Sequence, residues 1–137
     1  MAAPMTIDDV AALALGLPGV TEGTRWRKRT WFVGGAGFAW ERPLSKADLN
    51  RLGDQPAPRG LVVALRVANL EEKEVLMLEP PAGFFDIAHF SGYPAVLVEL
   101  NSVEPALFKA ALVEAWYSCA PPELAATGPG RPRNSRR

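Results

Sequence analysis

A chain of 137 residues, 48% hydrophobic with four Trp and six Phe, has apolar surface for one core, which excludes global disorder and leaves too little length for a second domain. No apolar run approaches the ~18 residues that span a bilayer, the N-terminus lacks a basic region followed by an apolar stretch, and the single Cys119 forms no internal disulfide, so the expectation is a cytoplasmic protein without a membrane partner. The formal net charge is zero, but Arg131, Arg133, Arg136 and Arg137 supply four of the fifteen basic residues; the remainder is acidic by about four charges and lacks the overall positive field first expected of a nucleic-acid binder.

Thr6 precedes an apolar spacing of Ile7, Val10, Ala11, Ala14 and Leu17, with Asp8 and Asp9 where a helix dipole favours negative charge. This predicts a first helix that stops near Gly16, ahead of Pro18 and Gly19. Thr30–Val33 and Phe38–Arg42 are aromatic and β-branched runs around Gly34-Gly35-Ala36-Gly37, and they predict a hairpin with Trp31 and Val33 on one face and Phe38 and Trp40 on one face. Pro43 to Gly60 predicts a loop with room for a helical turn. Leu61, Val63, Leu65 and Val67 alternate with Val62, Ala64 and Arg66, which predicts a central strand.

Asn69, with Glu72 three residues on, predicts a capped helix running to about Leu78, before Pro80-Pro81. Phe84–Ala88 and Pro94–Leu100 are strand candidates, the second with Val96, Val98 and Leu100 on one side. Phe108, Ala111, Leu112, Ala115, Trp116 and Cys119 form the apolar stripe of a last helix ended by Pro121-Pro122. The order is α-β-β-β-α-β-β-α, without β-α-β alternation. It predicts an α+β two-layer sandwich with a five-stranded antiparallel sheet over residues 1–126, and a disordered Arg-rich tail over 127–137.

Leu17-Pro18-Gly19-Val20 with Glu22, Trp26, Phe38-Ala39-Trp40, Leu70-Glu71-Glu72-Lys73-Glu74 and His89-Phe90-Ser91-Gly92-Tyr93-Pro94-Ala95-Val96-Leu97-Val98 together resemble the MmcQ/YjbR family of small bacterial proteins, from about Thr6 to Ala126. The resemblance implies a topology similar to secretion-chaperone folds. It also implies a DNA-binding label resting on projecting wing-like elements, and it carries no catalytic residues or cofactor. Thr24-Arg25 stands before Trp26 where relatives often have a His.

Arg25-Trp26-Arg27-Lys28-Arg29 is the densest basic and aromatic cluster, and it is the candidate nucleic-acid site: cations to neutralise phosphates, a Trp to stack on a base. The competing reading is a solvated edge with Trp26 tucked into the core. A straight strand would put Arg25, Arg27 and Arg29 on the face of Trp31, so a turn or bulge near Lys28 is expected. Catalysis would need His89, the one histidine, opposite Ser91 or Cys119, and no spacing places it there; an enzyme is not expected. Glu71, Glu72 and Glu74 are explained as helix-start acids without a metal, and Gly34 to Gly37 as turn glycines without a nucleotide. Arg66 and Glu99 are expected to pair if their strands adjoin. The expected function is DNA binding through the local patch, with a protein-interaction or chaperone-like module as the alternative.

Overall fold

The computed structural model describes residues 4–58 and 60–130; the tail arginines, 131–137, lie outside the described residues. Helix α1 (Ile7–Leu15) opens as its sequence requires. The Thr6 hydroxyl accepts from the Asp9 N–H at 3.1 Å and the Asp9 carboxylate accepts from the Thr6 N–H at 2.9 Å, satisfying two end donors. Three strands follow, β1 (Thr21–Arg25), β2 (Lys28–Val33) and β3 (Ala36–Glu41). Strand β1 raises the count from the expected five to six. Thr21-Glu22-Gly23-Thr24-Arg25 has no apolar alternation, and the segment is extended because it pairs residue for residue with β2.

The β2–β3 reversal is two residues, Gly34 and Gly35, at φ of 58° and 81°, a turn whose twist matches the strands. Gly37 therefore lies within β3. Trp31 pairs with Ala39 and Phe32 with Gly37, leaving Phe38 as an extra residue in a bulge. This overturns the expected sharing of a face by Phe38 and Trp40. The bulge turns Phe38 and Ala39 into the main core and sends Trp40 to the opposite side of the sheet.

Residues 43–60 contain a real helix, α2 (Lys46–Leu52), capped by Ser45. The remaining elements are β4 (Val62–Arg66), α3 (Leu70–Leu78), β5 (Phe84–Phe85), a single 3-10 turn at Ala88–Phe90, β6 (Ala95–Glu99), α4 (Pro105–Cys119) and α5 (Pro122–Ala125). All strand pairs are antiparallel, in the order β1-β2-β3-β4-β6-β5. Val63 and Leu65 of β4 and Val96 and Val98 of β6 face α1 and α4 in the main core, as their alternation predicts. Trp116 anchors α4 there, fully buried, its Nε1 donating to the Pro18 carbonyl at 3.0 Å. Past α5 the chain stays against α4, where the Gly130 N–H donates to the Tyr117 hydroxyl at 2.8 Å.

Arg66 and Glu99 do not pair, contrary to expectation. Strands β4 and β6 do adjoin, but their antiparallel register sets Arg66 opposite Ala95 and Glu99 opposite Val62, at opposite ends of the ladder. Arg66 instead donates to the Pro94 carbonyl at 3.2 Å, and Glu99 accepts from the Ser102 hydroxyl at 3.0 Å.

A second, smaller core covers the other face of the sheet, where Trp40, Val62, Ala64, Ala95 and Leu97 meet Ile87 and Phe90. Asp48 of α2 is buried beside it and accepts from the Ser45 N–H at 2.9 Å and from Arg42 Nη1 at 3.0 Å. Burial pushes the Asp48 carboxyl up, but the Ser45 N–H and the Arg42 guanidinium outweigh it and hold the group below its ordinary range. A carboxylate depressed in the folded state adds stability above its unfolded pKa and loses it as pH falls through the folded one. Asp48→Asn should therefore cost about 1 to 3 kcal/mol in urea denaturation at pH 7. The gap to the native protein should close progressively below about pH 4.

Candidate nucleic-acid interface

Between β1 and β2 the chain reverses in two residues, Trp26 and Arg27, with φ of 51° and 65°. Both residues of such a turn need positive φ, which Asn and Gly adopt readily and a Trp or Arg adopts at about 1 kcal/mol each. The expected turn thus lies just before Lys28. Trp26, which the competing reading placed in the core, is 77% exposed at the hairpin tip.

The reversal sorts the five residues of the cluster onto different surfaces. Arg25 and Lys28 are paired neighbours on the face that carries Trp40. Arg29 lies on the opposite face with Glu22 and Trp31. Arg29 Nε and Nη2 donate to the Glu22 carboxylate at 2.9 and 3.2 Å, and Nη1 reaches Asp8 of α1 at 3.3 Å. The Trp31 indole adds a third donor to Glu22 at 3.0 Å. The Arg29 guanidinium holds the Glu22 carboxyl below its ordinary range, against a smaller opposing effect of burial. Arg29 is thereby a structural cation, joining the hairpin to α1. Arg25, Arg27 and Lys28 make no ion pair among the described residues.

Behind the tip is a cleft of about 540 Å³, walled by Arg25, Trp26 and Lys28 on one side, Trp40 and Arg42 below, and His89, Phe90 and Tyr93 opposite. The Arg25 guanidinium lies over the Trp26 ring at 4.9 Å and the Trp40 ring at 5.9 Å. It has room to do so because Gly37 lacks a side chain; a Cβ there would stand 2.7 Å from Arg25 Nη2. Arg42, tied to Asp48, stacks over Phe90 at 5.4 Å, and Phe90 meets Tyr93 edge-on at 5.6 Å.

The wall carrying His89 and Tyr93 is held by Lys73 of α3, whose buried ammonium donates to the Phe90 and Tyr93 carbonyls at 2.6 and 2.9 Å and pairs with Asp86 at 3.2 Å. Nothing in the linear pattern announced this arrangement. The Ser91-Gly92-Tyr93-Pro94 stretch is the turn into β6, and that a lysine fifteen or more residues upstream braces it follows only from tertiary structure. Of the residues considered for catalysis, His89 lines the cleft, Cys119 packs on the far core beside Ser118, and Ser91 faces α3. They do not converge. Glu72 at the start of α3 gives its N–H to the Asn69 side chain at 2.8 Å.

The YjbR family model matches residues 15–118, from the end of α1 through the hairpin and both cleft walls into α4. The chain belongs to the YjbR family. Uncharacterized proteins of Mycobacterium tuberculosis and Mycobacterium bovis are 41% identical to this YjbR chain over 122 residues, covering 87% of it and 92% of each relative. No solved structure matched. Among the described residues, no helix of this YjbR protein is long and apolar enough to cross a membrane.

Lys73→Met should lower stability by about 2 to 4 kcal/mol, because it leaves two carbonyls and Asp86 without their shared cation. Amide hydrogen exchange should show the loss of protection concentrated in residues 86–93 rather than in the main core.

Proposed function

We propose that this YjbR-family protein binds nucleic acid, with the β1–β2 hairpin tip as its contact. Arg25, Arg27 and Lys28 would meet phosphates and Trp26 would stack on a base. The observation that carries this reading is an indole 77% exposed in a strained two-residue turn, flanked by three cations that make no ion pair among the described residues. Backbone strain and an exposed Trp both work against stability, and such features persist where something other than folding needs them. Arg29 leaves the contact set proposed from sequence, since Glu22 and Asp8 already neutralise it.

The test is fluorescence anisotropy of a labelled 12-nucleotide strand over a salt series. Binding should weaken with salt, and Arg27→Ala with Lys28→Ala should flatten the log–log slope by about 1.4, or ~0.7 per released phosphate on a single strand. Arg29→Ala should leave the slope unchanged. If only serine replacement of Arg131, Arg133, Arg136 and Arg137 removes binding, the hairpin is not the contact and this reading is wrong.

A second reading, association with a protein partner, is favoured by α3, where Leu70, Val75 and Leu78 are all exposed on one helix. It predicts self-association or partner capture lost on changing Leu78 to Glu, with the hairpin variants unaffected.

A further inference from the structure

The proposed contact is more than a charged tip, because the tip is also one wall of a cleft. Its volume, about 540 Å³, lies in the usual range of small-ligand sites. Its surfaces are unlike those of a plain phosphate groove. Trp26, His89 and Tyr93 are all exposed around the mouth, while Trp40 and Phe90 are buried beneath it, 6.3 Å apart between ring centroids. The cations are distributed just as unevenly. Arg25 and Lys28 stand on the hairpin side, whereas Arg42 on the floor is already held by Asp48. Glu41 is the carboxylate among the lining residues, beside the cations Arg25, Lys28 and Arg42.

We propose that this cleft takes one unpaired nucleobase between its aromatic walls, with the attached phosphate on Arg25 and Lys28. The inference rests on the nucleic-acid reading above and deepens it, from attraction to a backbone to selection of single-stranded over duplex substrate. A base inside a duplex is stacked on both faces and cannot enter; an unpaired base presents its whole π-face, which aromatic side chains bind with little regard to sequence. Two buried charged groups support the choice of site. Among the described residues the buried charged side chains are Asp48 and Lys73. Asp48 fixes Arg42, and Lys73 fixes the carbonyls of Phe90 and Tyr93, so one holds the floor and the other the far wall of this same cleft. The same chemistry is offered by a strand or by a free mononucleotide, and the test separates them.

The full-length protein is titrated with a labelled 12-nucleotide strand, the blunt duplex of that sequence, and the strand with its bases replaced by abasic sites. AMP and GMP are titrated separately against intrinsic fluorescence, in which Trp26 is the exposed tryptophan beside three buried ones. Tyr93→Ala and His89→Ala, both outside the hairpin, are compared after circular dichroism confirms folding. The expected result is a preference for the intact strand of roughly tenfold over duplex and abasic strand, lost in both variants while duplex affinity stays constant. Equal affinity for all three oligonucleotides, unchanged by Tyr93→Ala and His89→Ala, overturns the cleft while leaving the charged hairpin standing. If no oligonucleotide binds but a mononucleotide quenches Trp26 and the variants abolish the quench, the cleft holds a free nucleotide and the nucleic-acid reading fails. No binding by any probe sinks both.

Discussion

Two peptide units, at Trp26 and Arg27, decide what the most basic stretch of this chain can do. A continuous strand would have set three arginines beside Trp31 at the core. By reversing there, the backbone lets Arg29 face Glu22 and Asp8 while Arg25 and Lys28 face away, toward the aromatic side of the sheet. One cation is used to fasten the hairpin to α1; the others are left without ion-pair partners among the described residues. That division and the exposed indole both follow from the turn.

The sheet carries two unequal cores, and the difference gives the molecule its sidedness. One face is covered by α1 and α4 and closed by large apolar side chains such as Trp31, Phe108 and Trp116. On the other, a short segment from Ile87 to Tyr93 covers only part of the sheet, and the uncovered part is the cleft. The carbonyls of Phe90 and Tyr93 each accept one backbone N–H, from Tyr93 and Ala95, and the Lys73 ammonium adds a second, charged donor to each, fixing this short segment to α3. Asp48 does the corresponding work for Arg42 and for the start of α2.

The elements that could be read from sequence were those whose burial is periodic. The alternation of Val63 and Leu65, the stripe from Phe108 to Trp116 and the Thr6–Asp9 cap all state their geometry locally. Strand β1 could not be read, because its residues are polar and only pairing with β2 extends them. The Phe38 bulge was equally hidden: a register shift depends on what the partner strand needs, and it moved Trp40 to the opposite face. The candidate cluster was visible as composition, yet its division into a structural Arg29 and an exposed remainder depended on the turn. The opposite wall of the cleft had a signal in His89-Phe90-Ser91-Gly92-Tyr93, but nothing nearby in sequence linked it to Arg25.

The central claim is that the hairpin tip is shaped for contact at some cost to folding, and replacing its two residues by those that suit the turn tests this directly. Trp26→Asn with Arg27→Gly relieves the strain of positive φ at both positions, so urea denaturation should show the double variant more stable than the native chain by about 1 to 2 kcal/mol. Anisotropy on the same sample should show its affinity for single-stranded DNA greatly reduced. A variant that is less stable, or that binds as the native protein does, would contradict the account, for the turn would then be serving the fold rather than a ligand.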